Sequence, residues 1–300
     1  MQYSNVVYRW PILWFIVAFM NQHPAVSRTS LSCAVARAAH LEVDDEPVIF
    51  ADPLAVMLLG AEGAHFLGYH RKFATSPVLA GARTEAVCRS RFAQDRLARI
   101  GLTQVVILGA GLDTYAYRTA GAEGTRVFEV DRPESQQAKR AALRTAGIAI
   151  PPNVTYIPID FESDLLTDAL SASGFDTGRA AFISWLGVTM YLTREALAAT
   201  VAAVGSLAPG TQLVADYLLA PHLRDAAGRA YAAAVGQAAA AGGEPWISCY
   251  PPEELTGILT RAGFRAVTHV RQTDALDRAA WTRTDALHPM EFSALLHATV

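Results

Sequence analysis

The spacing of apolar residues along the chain changes near residue 104. Before that point they recur at helical intervals. Segment 27–40 (SRTSLSCAVARAAH) opens on Ser and Thr capping residues and continues as an alanine-rich stripe. Asp52-Pro53 predicts the cap and first position of a short helix. An amphipathic helix is expected over roughly 82–99, ended by Gly101. From Gln104 onward the apolar residues gather into short runs instead. These lie at 104–108, 125–130, 154–159, 180–186 and 211–217, then near 264–271 and 291–299. Helix-like stretches separate them at 133–146, 194–207, 220–241 and 252–262. Strands alternating with helices at this spacing predict βαβ units and a parallel sheet covered on both faces. The chain-terminal strands are expected to pair antiparallel at the sheet edge.

One run fits neither period. Residues 10–20 (WPILWFIVAFM) form 11 unbroken apolar positions. A bilayer span takes about 20, and an interfacial helix needs a polar face, so stable membrane insertion is not expected. Arg9 is the only positive side chain ahead of the run, and no convincing small-x-small cleavage site follows. Two readings are preferred over secretion for residues 1–26: a start-codon artefact with Met20 as the true start, or an apolar arm packed on the core.

Composition narrows the class further. The 300 residues are 52% hydrophobic and 18% charged, with a net charge of −3. That excludes a disordered chain and a basic nucleic-acid binder. Cys33, Cys88 and Cys249 are too few and too scattered for a disulfide framework or a zinc site, which suits a reduced, cytoplasmic protein. The histidines, His65 and His70 among them, show no metal-ligand spacing, so no metal is expected.

Three features carry chemistry. The first is the run 104–108 closing on Gly109-Ala110-Gly111, where the backbone can approach an anionic ligand; a plain tight turn gives the same pattern. Thr114 stands where a dinucleotide fingerprint needs its third glycine. The second is Glu129 and Asp131, 18 and 20 residues after Gly111, placed to accept hydrogen bonds from ribose hydroxyls or to cap the next helix. The third is Asp160, which can accept from an adenine amino group while the Phe161 amide reaches a ring nitrogen; its alternative is a helix cap. Three sites at successive strand ends describe a crevice for an adenosine-bearing cofactor.

The motifs VVILGAGLDTYAYR (105–118), VFEVDRP (127–133) and SWLGVTMYL (184–192) resemble the S-adenosylmethionine-dependent methyltransferases related to leucine carboxyl methyltransferases, in their bacterial branch. The resemblance runs from about residue 27 to 300. It implies that Gly109 lies against the methionine part of the cofactor, with Gly111 in the same turn. It also implies that Asp131, rather than Glu129, binds the ribose, and that Asp160 and Phe161 hold the adenine. An arginine in the helix before the first strand would pair with the cofactor carboxylate. Arg89 is the best motif match, but it stands 15 residues before Gln104 where the family has about 18, so Arg83 and Arg91 compete with it. Leu186 replaces a glutamate common in relatives.

Methyl transfer to oxygen is an in-line displacement that demands alignment and exclusion of water. A carboxylate acceptor needs no base, whereas an alcohol or phenol does. His222, Asp216 and Tyr191 are the candidate groups, each with a plain structural alternative. GEPW (243–246) places Trp246 as a candidate wall of the acceptor pocket. The expected fold is therefore α/β, of the class I methyltransferase (Rossmann-like) type, with a seven-stranded, mostly parallel sheet. Its expected parts are a helical cap (27–100), a sheet core (101–217 and 251–300) and a helical lid (218–250). The expected activity is transfer of a methyl group from S-adenosyl-L-methionine to a carboxylate or hydroxyl of a small metabolite, in secondary metabolism. An NAD-dependent oxidoreductase and a non-catalytic adenosine-cofactor binding protein are the rival classes.

Overall fold

A computed structural model describes residues 27–119 and 124–300; the apolar run at 10–20 falls outside them. Three long helices come first: α1 (Arg28–Val43), α2 (Gly60–Lys72) and α3 (Pro77–Ile100). Ser27 starts α1 by accepting a hydrogen bond from the Ser30 amide. Between α1 and α2, the Asp52 carboxylate accepts from the Ala55 amide ahead of a four-residue helical turn, Ala55–Leu58. α3 begins five residues earlier than its apolar stripe suggests. Pro77 takes its first position, where a missing N–H costs nothing. Gly101 ends it at φ 66°.

Strands and helices then alternate. β1 (Gln104–Leu108), β2 (Arg126–Asp131), α4 (Pro133–Thr145), β3 (Val154–Pro158), α5 (Leu166–Ala172), β4 (Phe182–Trp185), α6 (Arg194–Gly205) and β5 (Gln212–Leu218) follow in order. After them come α7 (Ala226–Ala241), α8 (Pro252–Arg261), β6 (Ala266–Arg271) and β7 (Ser293–Thr299). All seven strands join one sheet in the order β3-β2-β1-β4-β5-β7-β6. Every pairing is parallel except those of β7, which runs antiparallel to both β5 and β6. The last strand is thus not an edge strand: it inserts between β5 and β6 and pairs along its length with each. The edge belongs to β6. This is the seven-stranded, mostly parallel α/β sheet expected from the sequence.

Strand periodicity divides the core between two faces. On β1, Val106 and Leu108 pack with Phe128, Ile157 and Trp185 beneath α5, α6 and α8. Val105 and Ile107 point the other way, onto Phe92 and Cys88 of α3 and Leu143 of α4. All five β1 residues are buried, as a central parallel strand requires. Strand order reverses between β1 and β4, and this leaves a crevice at their carboxyl ends.

Two local expectations change. The stretch 220–241 is not one helix. Pro221 opens a separate turn of 3-10 helix, Pro221–Leu223, and Asp225 then caps α7 by accepting from the Gly228 amide. After Asp160 the chain makes a tight turn, so α5 starts only at Leu166. Among the described residues no helix is long and apolar enough to cross a membrane.

Several buried charges pin the helices to one another. The Arg83 guanidinium donates to both Asp44 carboxylate oxygens at 2.8 and 2.9 Å and to the Ala74 carbonyl at 2.7 Å. Its third nitrogen meets His70 Nδ1 at 3.1 Å. Burial first, and Arg83 second, pull the His70 imidazole down to about 3, so it is neutral and accepts that bond. Breaking a buried pair leaves an uncompensated charge. Arg83→Met should therefore cost about 3–5 kcal/mol in denaturant unfolding. Arg71→Met, which removes the exposed Arg71–Glu42 pair, should cost about 1 kcal/mol or less in the same measurement.

Candidate active site

The crevice begins where β1 ends. Gly109 and Gly111 take φ of 67° and 42°, and the Gly109 and Ala110 amides donate to the Val130 carbonyl. A Cβ at Gly109 would lie 2.2 Å from Val188, and one at Gly111 2.4 Å from the Ser30 hydroxyl. Only glycine satisfies both the backbone and the space. The turn is locked from above as well, since the Leu112 amide donates to Ser30 Oγ at 2.9 Å.

Asp131 closes β2 beside this turn. One carboxylate oxygen accepts from the Gly111 amide at 2.6 Å and the other from the Arg132 amide at 2.7 Å. Each oxygen keeps a lone pair for a ligand. Glu129, two residues earlier, points into the interior instead. It is fully buried, 2.8 Å from the Lys139 ammonium, and accepts from the Tyr117 hydroxyl. Burial, opposed by Lys139, raises its carboxyl above the usual range. Glu129 is thus a strut under β2. Asp160 is exposed and accepts from the Glu162 amide, while half-buried Phe161 packs toward Trp185 with ring centres 6.4 Å apart.

Gly109, Gly111, Asp131, Asp160 and Phe161 all line one cavity of about 370 Å³. Of the three competing arginines, only Arg89 joins them there. Arg83 is consumed by Asp44, and Arg91 lies near the surface on Asp95. Arg89 donates to Asp216 at 3.0 Å and to the Cys33 sulfur at 3.0 Å. The other Asp216 oxygen accepts from the Gly187 amide at 2.6 Å. Burial alone would lower the Arg89 pKa, but Cys33 and Asp216 outweigh it and the guanidinium stays charged. Leu186 lines the cavity with an apolar side chain.

A second cavity of about 200 Å³ adjoins the first, sharing Thr29, Cys33, Arg89, Gly187 and Tyr191 as common walls. Its other walls are mostly apolar, among them Leu79, Met190, Val235, Trp246 and Phe292. The Trp246 indole N–H donates to the Tyr191 hydroxyl at 3.2 Å. Burial pushes the Tyr191 phenol up, so it remains protonated. Loop 242–246 reaches over to α1. The Glu244 carboxylate accepts from the Thr29 amide at 2.9 Å, and the Gly242 carbonyl accepts from Arg28 at 3.0 Å.

Two candidate bases, His222 and Asp216, line neither cavity. His222 sits exposed on the turn after β5 and lines neither cavity, because Pro221 directs the chain outward there. Asp216 is buried in its ion pair with Arg89. Conversely, Cys33, Glu85 and Glu244 line these cavities although the motifs did not single them out. For Glu85 a signal existed: it lies four residues before Arg89, hence on the same helix face.

Comparison with known proteins bears on this geometry. The family model for leucine carboxyl methyltransferase matches residues 30–205. A Bacillus subtilis (strain 168) protein, named as an inferred S-adenosyl-L-methionine-dependent methyltransferase, is 34% identical over 201 residues, covering 66% of each chain. A Streptomyces coelicolor protein of the same description is 32% identical over 258 residues, or 81% of this chain and 84% of the relative. Some relatives are matched over less than two thirds of their own length, as with 58% of a Mycobacterium marinum protein. Among solved structures, an inferred methyltransferase from Thermobifida fusca YX superimposes with a TM-score of 0.54 at 20% identity, covering 81% of this chain and 92% of that one. The family model spans more than half of the 300 residues: this chain belongs to the leucine carboxyl methyltransferase family.

Proposed function

We propose that the chain transfers a methyl group from S-adenosyl-L-methionine to an oxygen, carboxylate or hydroxyl, of a small and largely apolar metabolite of secondary metabolism. The observation that carries this reading is the pair of adjoining cavities, one lined by polar groups suited to an adenosine-bearing ligand and one apolar, with Arg89 between them. The donor set of the first cavity fits the cofactor group by group. Arg89 would pair with its carboxylate and Gly109 would lie against its methionine chain. Asp131 would accept from the ribose hydroxyls through its free lone pairs, and Gly111 orients that carboxylate. Asp160 and the Phe161 amide would hold the adenine. The bound cofactor supplies an electrophilic methyl on a sulfonium sulfur.

The chain's own residues then have two tasks, alignment and exclusion of water. Arg89 is held by Asp216 and Cys33 before any ligand arrives, so little side-chain freedom remains to be lost on binding. Loop 242–246, with α7 behind it, acts as a lid clasped to α1 through Glu244 and Arg28. Tyr191 and Trp246 form the wall against which an acceptor is oriented. A non-catalytic cofactor-binding protein would leave the apolar cavity beside the polar one without a role. An oxidoreductase also lacks its third glycine at Thr114.

Calorimetric titration with S-adenosylhomocysteine and with NAD tests the reading directly. Binding of S-adenosylhomocysteine and not NAD is expected; binding of NAD alone would overturn the proposal. Asp131→Ala should weaken S-adenosylhomocysteine binding by about 1–3 kcal/mol, because ribose hydroxyls lose their acceptor. Unchanged affinity removes Asp131 from the ribose. Arg89→Lys keeps a cation beside Asp216 but loses the fork, so affinity for S-adenosylhomocysteine should fall by about tenfold or more. Adenosine, which has no carboxylate, should bind both forms equally.

A further inference from the structure

We infer that the second cavity takes an apolar acceptor bearing a hydroxyl group, which Glu85 holds by accepting its O–H, and that it disfavours a carboxylate acceptor. This rests on the methyl-transfer reading and narrows its acceptor class.

Glu85 lies one helical turn before Arg89 on α3, is 7% exposed, and lines the second cavity but not the first. The same cavity is lined by the hydrocarbon side chains of Leu79, Ala82, Val235 and Phe292. Its carboxyl group already has two donors behind it. One oxygen accepts from the Ser293 hydroxyl at 2.7 Å, and the other accepts from the Gln272 side-chain amide. Each oxygen retains a lone pair. A glutamine would bridge Ser293 and Gln272 without the cost of burying an ionisable group, so the tie alone does not call for an acid.

The groups around Glu85 decide which ligand suits it. On its own helix, Arg89 is paired with Asp216 of β5, and burial keeps the Cys88 thiol protonated. From α7, the Tyr231 phenol is likewise held neutral by burial. His70 of α2 also lines the cavity and is uncharged. Gln272 and Ser293 contribute neutral donors. Among the described residues that line this cavity, Arg89 is the only Arg or Lys and Asp216 already pairs with it, so no unpaired cation is there to neutralise a second carboxylate. Once Glu85 is ionised, an acceptor carboxylate would therefore meet it as a like charge, whereas a hydroxyl would make a short, charge-assisted bond to it. Burial, countered in part by Ser293, Arg89 and Gln272, pushes the Glu85 carboxyl up to about 7, so it ionises near neutrality.

Three probes with one apolar body test the inference: 3-phenylpropanol, its methyl ether, and 3-phenylpropionate. Each is titrated calorimetrically into the full chain, with and without S-adenosylhomocysteine. At pH 8 the alcohol should bind about tenfold more tightly than the ether or the carboxylate. That advantage should shrink at pH 6, where Glu85 is protonated. In Glu85→Gln the gap between alcohol and ether should no longer change with pH. The folded chain holds the Glu85 proton more tightly than the usual carboxyl value of 4.5, so its stability falls as pH rises from there through about 7. Glu85→Gln removes that loss and should fold at least as well at neutral pH. Ala82→Leu fills the cavity without touching the carboxyl and should weaken all three probes.

Equal binding of alcohol and ether to the native chain overturns the inference. So does 3-phenylpropionate binding as tightly as the alcohol at pH 8, a pH-dependent gap that survives in Glu85→Gln, or probe binding indifferent to Ala82→Leu. Alcohol selectivity without any binding of S-adenosylhomocysteine would instead sink the methyl-transfer reading and leave the Glu85 contact standing.

Discussion

The ion pair between Arg89 and Asp216 joins everything the two cavities depend on. It links α3 to β5, and through the Gly187 amide it fixes the turn after β4. Cys33 brings α1 to the same guanidinium. Four separate stretches of chain therefore converge on one charged group at the boundary between a polar and an apolar space. The low dielectric there makes the attraction strong and makes a missing partner costly. Geometry enforces the arrangement too, because a Cβ at Gly187 would lie 2.6 Å from the Arg89 guanidinium.

The interior uses a second device of the same kind with a different result. Glu129 and Lys139 form a buried pair under β2, and the Tyr117 hydroxyl adds to it while meeting that of Tyr156. No ligand-accessible surface borders the Glu129 carboxyl, which is fully buried. Asp131, two positions on, faces the crevice on the same strand end. One strand thus carries a structural acid and a cavity-lining acid within a single pleat repeat.

Much of this was legible in the sequence because the strands are short apolar runs and the turns carry glycine at positive φ. β1 and its Gly109 and Gly111 turn illustrate the point, as does Asp131 at the end of β2. The competition among Arg83, Arg89 and Arg91 was not resolvable, since about 100° of rotation per residue sends the three to different sides of one helix. Which side meets Asp216, Asp44 or solvent is a tertiary fact. The place of β7 was hidden for a similar reason: pairing with two neighbours depends on residues far away in the chain. Glu85 escaped notice because its meaning comes from Ser293 and Gln272, about 200 residues downstream, and from an apolar cavity that no local pattern announces.

The division of labour along the chain has an evolutionary consequence. The family model ends at residue 205, and every residue proposed to hold the adenosine, ribose and carboxylate lies before that point. One wall of the apolar cavity comes from after it: Tyr231, Val235, Trp246 and Phe292 line that space and not the polar one. Drift in these downstream positions can reshape what is accepted while the upstream half goes on holding the same donor. A single scaffold of this kind can diversify its chemistry of recognition without reinventing its chemistry of transfer.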